Sequence, residues 1–91
     1  MSEARIRVDV WLWRARLTKT RAAAARLVSE GGVRVVRQDS ASRSLDKPSA
    51  EISPGDKVLF PQEGAVRVVV VTAIGARRGP PAAARQLYSY L

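Results

Sequence analysis

The chain has 91 residues, 46% of them hydrophobic, which is enough for one small core and too short for two domains. It carries 16 Lys and Arg against 8 Asp and Glu, a net charge of +8, and 13 of the cations are arginine, so we expect a polyanionic partner. It contains no cysteine and no histidine, which excludes disulfides, thiolate chemistry, histidine bases and almost every transition-metal site.

The charge is distributed unevenly along the chain. Residues 1–37 hold nine cations and three acids, residues 38–65 hold three cations and five acids, and residues 66–91 hold four cations and no acid. The two basic ends would form one surface if the fold brings them to the same side. The longest apolar run, residues 68–74, is too short to span a bilayer, and the N-terminus lacks an apolar leader. We therefore expect a cytoplasmic protein with no membrane partner.

A first helix is predicted from Val8, after a short N-terminal arm over residues 1–6. Four apolar residues recur at the three- and four-residue spacing of a buried stripe: Val8, Trp11, Leu12 and Ala15. Asp9, beside this stripe, is expected to pair with Arg16 or to cap the helix. Three apolar residues lie off the stripe and need a second cover from the sheet, the C-terminal tail or a partner: Val10, Trp13 and Leu17.

A second helix is predicted over residues 21–30. Thr18 and Thr20 are both suitable N-caps, and Gly31 or Gly32 can supply the left-handed residue that ends a helix. One face is made of small and apolar residues that allow close packing on the first helix: Ala24, Ala25, Leu27 and Val28. The sequence therefore predicts a tight two-helix unit.

The rest of the chain is predicted to form an antiparallel sheet and a short terminal helix. Val33–Val36 alternates as a strand, with Arg34 pointing away from its neighbours. Residues 38–54 are mostly loop, with one short strand near 50–52. Strands over 57–60 and 65–73 flank a turn at 61–64 and form a hairpin. A basic loop over 75–81 then precedes a helix over 82–88.

No arrangement of residues in the sequence suits catalysis. The carboxylates are scattered without the paired spacing that hydrolysis or metal binding requires, and there is no glycine-rich phosphate loop of the Walker type. We expect no catalytic residue, no metal, no cofactor and no enzymatic activity.

The start of the second helix carries the clearest signal for a ligand. Lys19 and Arg21 flank Thr20 where the helix dipole is positive, which disfavours each cation by roughly 0.3–1 kcal/mol. The same backbone N–H groups, two cations and a hydroxyl suit a phosphate, although two long side chains extended into solvent are the alternative. Further cations on the hairpin favour phosphate binding: Arg7, Arg14, Arg16, Arg26 and Arg34.

Three residues outside this group allow two interpretations each. Trp13 either stacks on an unpaired base or packs under the C-terminal tail. Arg77 and Arg78, which precede a stiff Gly-Pro-Pro segment, either contact RNA or form an ordinary solvated loop.

Three sequence stretches carry a family resemblance. They read Arg-x-Asp-x-Trp-Leu-Trp-x-Ala-Arg from Arg7, Lys-Thr-Arg from Lys19, and Ala-Arg-Leu-Val-x-x-Gly-x-Val-x-Val from Ala25. Together they resemble the S4 (S-four) domain, a small RNA-binding module. Within that family, four further segments are similar to the ribosome-associated heat shock protein 15 group: Trp11-Leu12-Trp13, Lys47-Pro48-Ser49, Pro54-Gly55-Asp56, and Arg77-Arg78-Gly79-Pro80 with Leu87-Tyr88.

The resemblance implies an α+β fold, in which a two-helix hairpin packs on a small curved antiparallel sheet (the alpha-L-type RNA-binding motif), with a short C-terminal helix. We expect a single RNA-binding domain over residues 1–91, with a core motif over about 7–60 and a C-terminal hairpin and tail over 61–91. The implied main RNA surface is Arg7, Arg16, Lys19, Thr20, Arg21 and Arg26, with Arg34 and Lys47 at its edge. Secondary contacts are expected from Arg5, Trp13, Arg14, Arg77 and Arg78.

The resemblance also implies a role. Members of the group bind a free large ribosomal subunit that still carries a nascent chain on transfer RNA, so that the stalled particle can be recycled under stress. The expected partners are therefore ribosomal RNA, transfer RNA and the large subunit, bound by a monomer.

Two features depart from the family pattern. The family usually follows its Val-x-Val strand with an Asn-Gly turn, whereas residues 36–40 read Val-Arg-Gln-Asp-Ser. The lysine-rich C-terminal extension of some members is also missing, since the chain ends at Leu91. Weaker ribosome binding or a different RNA target would follow.

Two other functions compete with this one. The chain resembles the RNA-targeting domain of an rRNA-modifying enzyme, such as a pseudouridine synthase or methyltransferase, or a ribosome-assembly factor; the initial Met and a closing helix favour a complete small protein instead. DNA binding through one helix in the major groove is the second alternative. The lack of an exposed Asn- or Gln-rich helix face argues against it.

Overall fold

The computed structural model describes residues 4–37 and 40–91. The N-terminal elements are β1 (Ile6–Arg7), α1 (Val8–Arg14) and α2 (Arg21–Ser29). The central strands are β2 (Val33–Val36), β3 (Arg43–Leu45), β4 (Glu51–Ile52), β5 (Lys57–Gln62) and β6 (Ala65–Val71). The C-terminal elements are α3 (Pro81–Ala84), a 3₁₀ turn (Arg85–Leu87) and β7 (Tyr88–Tyr90).

All strand pairs are antiparallel within the described ranges. The main sheet has the order β3-β2-β5-β6-β7, and β1 pairs with β4 in a separate two-stranded ribbon. The α1–α2 hairpin packs against this sheet, so the α+β prediction is confirmed. No helix in the described part of the chain is long and apolar enough to cross a membrane.

The core lies between the helical hairpin and one face of the main sheet. The predicted stripe on α1 is confirmed, because Val8, Trp11, Leu12 and Ala15 are all buried. Ala24 of α2 joins them from the second helix. The sheet contributes alternate residues of its central strands: Val33, Val35, Val58, Phe60, Val69 and Val71.

The N-terminal end of α1 is closed by neighbouring backbone. The N–H of Val8 donates to the carbonyl of Ala50 at 2.7 Å, and that of Asp9 donates to Pro48 at 3.3 Å. The Asp9 carboxylate accepts the N–H of Val10 at 2.8 Å and pairs with Arg7, not with Arg16. The predicted Asp9–Arg16 pair is therefore wrong, whereas the capping alternative describes the contact that forms. These bonds satisfy donors that a phosphate would otherwise meet at this end.

Several strands differ from the sequence-based expectation. Residues 6–7 form β1 instead of lying in an arm, and β3 forms within the segment expected to be loop. The β5–β6 turn contains only Glu63 and Gly64, both at positive φ, because Gln62 already pairs with Ala65. Pro61 lies in β5 beyond the last residue that pairs with β2, so its missing N–H leaves no β2 acceptor unpaired.

The C-terminal helix is shorter than predicted. It ends at Ala84 and passes through the 3₁₀ turn into β7, which pairs with residues 69–71 of β6. The rings of Tyr88 and Tyr90 pack in a T-shaped arrangement, with 5.4 Å between their centroids. Burial and the neighbouring Tyr90 raise the pKa of the Tyr88 phenol.

Candidate nucleic-acid interface

The N-terminus of α2 presents free donors to the surface. Of the two predicted N-caps, Thr18 and Thr20, the helix uses Thr20: its hydroxyl oxygen accepts the N–H of Ala23 at 2.9 Å, and its carbonyl accepts the N–H of Ala24 at 3.1 Å. The N–H groups of Arg21 and Ala22 find no acceptor among the described residues. The proton of the Thr20 hydroxyl is also free to donate.

Two unpaired cations border these donors. Lys19 and Arg21 are exposed, and neither makes an ion pair or side-chain hydrogen bond within residues 4–37 and 40–91. The first turn of α2 contains no acidic residue to offset the positive end of the helix dipole. Arg26, in the last turn, is exposed and likewise unpaired in the described ranges. This site therefore offers an anion two charges and at least two backbone donors.

Arg16 holds a backbone conformation that glycine would adopt more easily. Its φ is 58°, its N–H donates to Trp13 at 3.0 Å, and the N–H of Leu17 donates to Leu12 at 3.0 Å. This pattern is the Schellman motif, whose left-handed residue is usually Gly. The Arg16 side chain is exposed and donates from Nε to the carbonyl of Gly79 at 2.8 Å, which leaves its two terminal nitrogens available.

Residues 73–79, which we call the C-terminal clasp, fasten the end of the chain to α1 and to the residues after it. Trp11 Nε1 donates to the carbonyl of Ala73 at 2.9 Å, and Arg14 Nη1 donates to Gly75 at 2.8 Å. In the opposite direction, Arg78 Nε donates to the carbonyl of Trp13 at 3.0 Å. Together with the Arg16–Gly79 bond, these contacts place the basic C-terminal segment beside the basic hairpin.

The clasp also covers Trp13. The guanidinium of Arg78 lies over the indole ring, with its Cζ atom 5.7 Å from the ring centroid, and Trp13 is half-buried. Of the two interpretations of Trp13, packing under the C-terminal tail is the one this contact favours. Arg77, one residue earlier, is exposed and makes no hydrogen bond or ion pair with described residues. Arg77 is therefore available to bind a phosphate, whereas Arg78 is held against Trp13.

The remaining predicted residues lie apart from this group. Arg7 makes a two-bond pair with Asp9, at 3.1 and 2.9 Å, which offsets its charge. Arg34 is exposed and donates from Nε and Nη2 to the hydroxyl of Ser42. Lys47 is exposed in the turn that closes the N-terminal end of α1, the end opposite to Lys19. Arg5 is exposed beside β1.

The structure thus gathers part of the predicted set. Four of the predicted residues are close along the chain: Arg16, Lys19, Thr20 and Arg21. The clasp adds Arg77, while Arg7, Arg34 and Lys47 lie elsewhere.

The segment that replaces the family's Asn-Gly turn includes Gln38 and Asp39, which lie outside the described residues. No group of three His, Cys, Asp or Glu side chains that could hold a metal occurs in the described ranges.

Sequence reasoning missed the role of backbone carbonyls. Ala73, Gly75 and Gly79 fix the positions of Trp11, Arg14 and Arg16, yet none of the three has a side chain that signals such a role. The preference for Gly at positions of positive φ could have indicated a turn at Gly75, but not which side chains it would meet.

Comparison with known proteins gives consistent matches. Residues 6–35 match the family model of the S4 domain. Over 83 residues the chain is 36% identical to heat shock protein 15 of Escherichia coli, in strain K12 and in O157:H7. This match covers 91% of the chain and 58% of those proteins, so the chain spans little more than half the length of these relatives. A solved structure of heat shock protein 15 from Vibrio cholerae, described as trimeric, is 30% identical with a TM-score of 0.81, covering 97% of this chain and 83% of that one.

Proposed function

The chain belongs to the heat shock protein 15 family, and from this membership we propose that it is a non-enzymatic RNA-binding protein that acts on ribosomes. The S4 match and the homology support RNA binding. The observation that carries the proposal is the N-terminus of α2, where Lys19 and Arg21 find no partner among the described residues and lie beside backbone donors that are likewise unpaired there.

The charges at this site are better explained by a ligand than by stability. Cations at the positive end of a helix lower stability, each by about 0.3–1 kcal/mol, and no described acid lies close enough to pair with Lys19 or Arg21. A phosphate would remove this repulsion and accept from the N–H groups of Arg21 and Ala22. Phosphate contacts of this kind supply most of the sequence-independent affinity for nucleic acid.

The proposed target is the free large ribosomal subunit carrying a stalled nascent chain on transfer RNA. Membership of the heat shock protein 15 family supports this target, because the described basic surface favours RNA phosphates without selecting one RNA. Binding to this target would make the protein a ribosome-recycling or stress-response factor. It would then act in the cytoplasm, where ribosomes work. For the RNA-free protein we propose a monomer; the trimer described for the Vibrio cholerae relative is the alternative, and light scattering distinguishes the two.

Co-sedimentation tests this proposal. The purified protein is centrifuged with separated small subunits, large subunits and intact ribosomes at near-physiological salt, beside the variants Lys19→Glu and Lys57→Glu. Both replaced lysines are exposed, but Lys57 lies on the sheet face away from the helices, so its variant is a matched control.

We expect selective binding to free large subunits, weakened by Lys19→Glu and unchanged by Lys57→Glu. Binding to naked RNA but to no ribosomal particle would contradict the ribosomal role and favour a processing factor or a targeting domain of a modifying enzyme. If Lys19→Glu and Lys57→Glu weakened binding equally, the N-terminus of α2 would not be the binding site.

A further inference from the structure

A cleft of about 200 Å³ opens beside the C-terminal clasp. Arg14 and Arg77 both line it, and of the two Arg14 is half-buried and Arg77 is exposed. The remaining surface comes from small or apolar residues, among them Gly75, Ala83, Ala84 and Leu87. The cleft is therefore an apolar slot with an arginine on its inner side and another at its mouth.

Small residues keep this slot open. A Cβ atom added at Gly75 would lie 3.2 Å from both terminal carbons of Leu87, and the φ of Gly75 is +73°. A Cβ atom at Gly79 would lie 3.1 Å from that of Ala83. Side chains larger than those present would thus fill the space or displace its walls.

Arg14 brings an unsatisfied donor to this region. Its Nη1 is held by the carbonyl of Gly75 at 2.8 Å, whereas its Nε is buried and has no hydrogen-bond partner among the described residues. A buried N–H group without a partner costs free energy, and folded proteins normally pair such groups with protein, water or ligand. Arg14 also lines the cleft, and its guanidinium has terminal donors beyond the one held by Gly75 that an acceptor in the cleft can use.

We propose that the cleft receives one unpaired nucleobase with a keto oxygen, from the same RNA whose phosphates bind at the start of α2; the inference rests on the proposed function. The apolar walls contact the faces of the base, and the keto oxygen accepts from Arg14. Uracil, guanine and cytosine offer such an oxygen, and adenine does not. A paired base cannot enter, because its partner would have to pass the same walls.

The position of the cleft relative to the phosphate site supports this assignment. The Arg16–Gly79 hydrogen bond joins the chain just before Lys19 to a residue that lines the cleft. Arg77, exposed and unpaired within the described ranges, stands at the mouth, where the phosphate of an inserted nucleotide would lie. One RNA strand can therefore contact both sites.

Two leucine substitutions on α3 distinguish the effect of filling the cleft from the effect of adding a leucine nearby. Ala83 lines the cleft, whereas its neighbour Ala82 does not, and both side chains are exposed. Affinities of Ala83→Leu and Ala82→Leu are measured by fluorescence anisotropy for a uridine dodecamer, an adenosine dodecamer and an RNA duplex of equal length. Thermal unfolding followed by circular dichroism checks that both variants fold.

We expect Ala83→Leu to bind the uridine dodecamer at least about fivefold more weakly than Ala82→Leu, which corresponds to the loss of one stacked base. The duplex should bind both variants equally, and the wild type should prefer the uridine to the adenosine dodecamer. Equal affinity of the two variants for the uridine dodecamer would mean that the cleft holds water only, and would overturn the inference.

Crosslinking provides a measurement that needs no variant. A uridine dodecamer containing 4-thiouridine is irradiated with the wild-type protein, and the labelled peptide is identified after trypsin digestion. We expect the label in the tryptic peptides that line the cleft, above all residues 79–85 and 68–77. Label confined to peptides without a cleft-lining residue would overturn the inference. Wild-type protein that binds neither single-stranded nor duplex RNA would instead overturn the proposed function.

Discussion

At the scale of single residues, Arg16 shows a conflict between stability and binding. A left-handed φ costs an L-residue roughly 1–2 kcal/mol, and glycine would avoid this cost at the same Schellman position. The arginine side chain offsets part of it through the hydrogen bond to Gly79. Its remaining donors face solvent beside Lys19, where RNA is proposed to bind.

Replacing Arg16 by Gly or by Ala separates these contributions. We expect Arg16→Gly to change the free energy of unfolding by less than about 1 kcal/mol, because relief of the strained φ offsets the lost hydrogen bond. Arg16→Ala keeps the strain and should lose about 1 kcal/mol, measured by urea denaturation. Both variants should bind RNA more weakly to the same extent; unchanged RNA affinity in both would place Arg16 outside the interface.

At the scale of elements, the N-cap of α2 serves both the helix and the site. Thr20→Ala removes the acceptor of the Ala23 N–H and should lower the free energy of unfolding by about 1 kcal/mol. Thr20→Ala should also weaken RNA binding, because the hydroxyl is part of the proposed phosphate site. Thr20→Ser keeps the hydroxyl and should have the stability and RNA affinity of the wild type. Chemical denaturation and anisotropy measure the two effects, and a Thr20→Ala protein as stable as the wild type would contradict the capping role.

The elements that could be predicted from the sequence are those with a strong local pattern. The 3-4 spacing on α1, the threonine cap and alanine content of α2, and the alternation in β2 each fix their element without distant contacts. β3 and β7 could not be predicted in this way, because each has three residues and exists through pairing with β2 or β6. A short strand without apolar alternation carries no local signal of its own.

The same distinction holds for the candidate site. Lys19, Thr20 and Arg21 were identified from local sequence, since a cation pair at a helix start is unusual in itself. The contacts of Arg14 and Arg16 with the clasp, and of Arg78 in the clasp with Trp13, join residues more than 60 positions apart and depend on the tertiary fold. The Arg7–Asp9 pair was missed because the helical spacing drew attention to Arg16, whereas Arg7 precedes the helix and reaches Asp9 from β1.

At the scale of the whole molecule, the clasp unites the two basic ends of the chain. Arg78 contributes a hydrogen bond to Trp13 and a cation–π contact with its ring, together worth about 1 kcal/mol. Arg78→Ala should therefore expose Trp13 and shift tryptophan emission to longer wavelength, while the fully buried Trp11 stays unchanged. Arg77→Ala removes the same charge from an unpaired residue and is the control; identical spectra of the two variants would contradict the clasp.

If the N-terminus of α2 binds RNA phosphates, RNA affinity depends on salt concentration and on Lys19. Affinity is measured over a range of salt concentrations for the wild type, Lys19→Glu and Lys57→Glu. If about five phosphates are contacted, the logarithm of affinity should fall with the logarithm of salt concentration with a slope of roughly −0.7 to −0.9 per phosphate. Lys19→Glu should weaken binding and reduce this slope by about one phosphate, and Lys57→Glu should change neither. RNA affinity that does not change with salt concentration, or equal affinities and slopes for the two variants, would contradict phosphate binding at the N-terminus of α2.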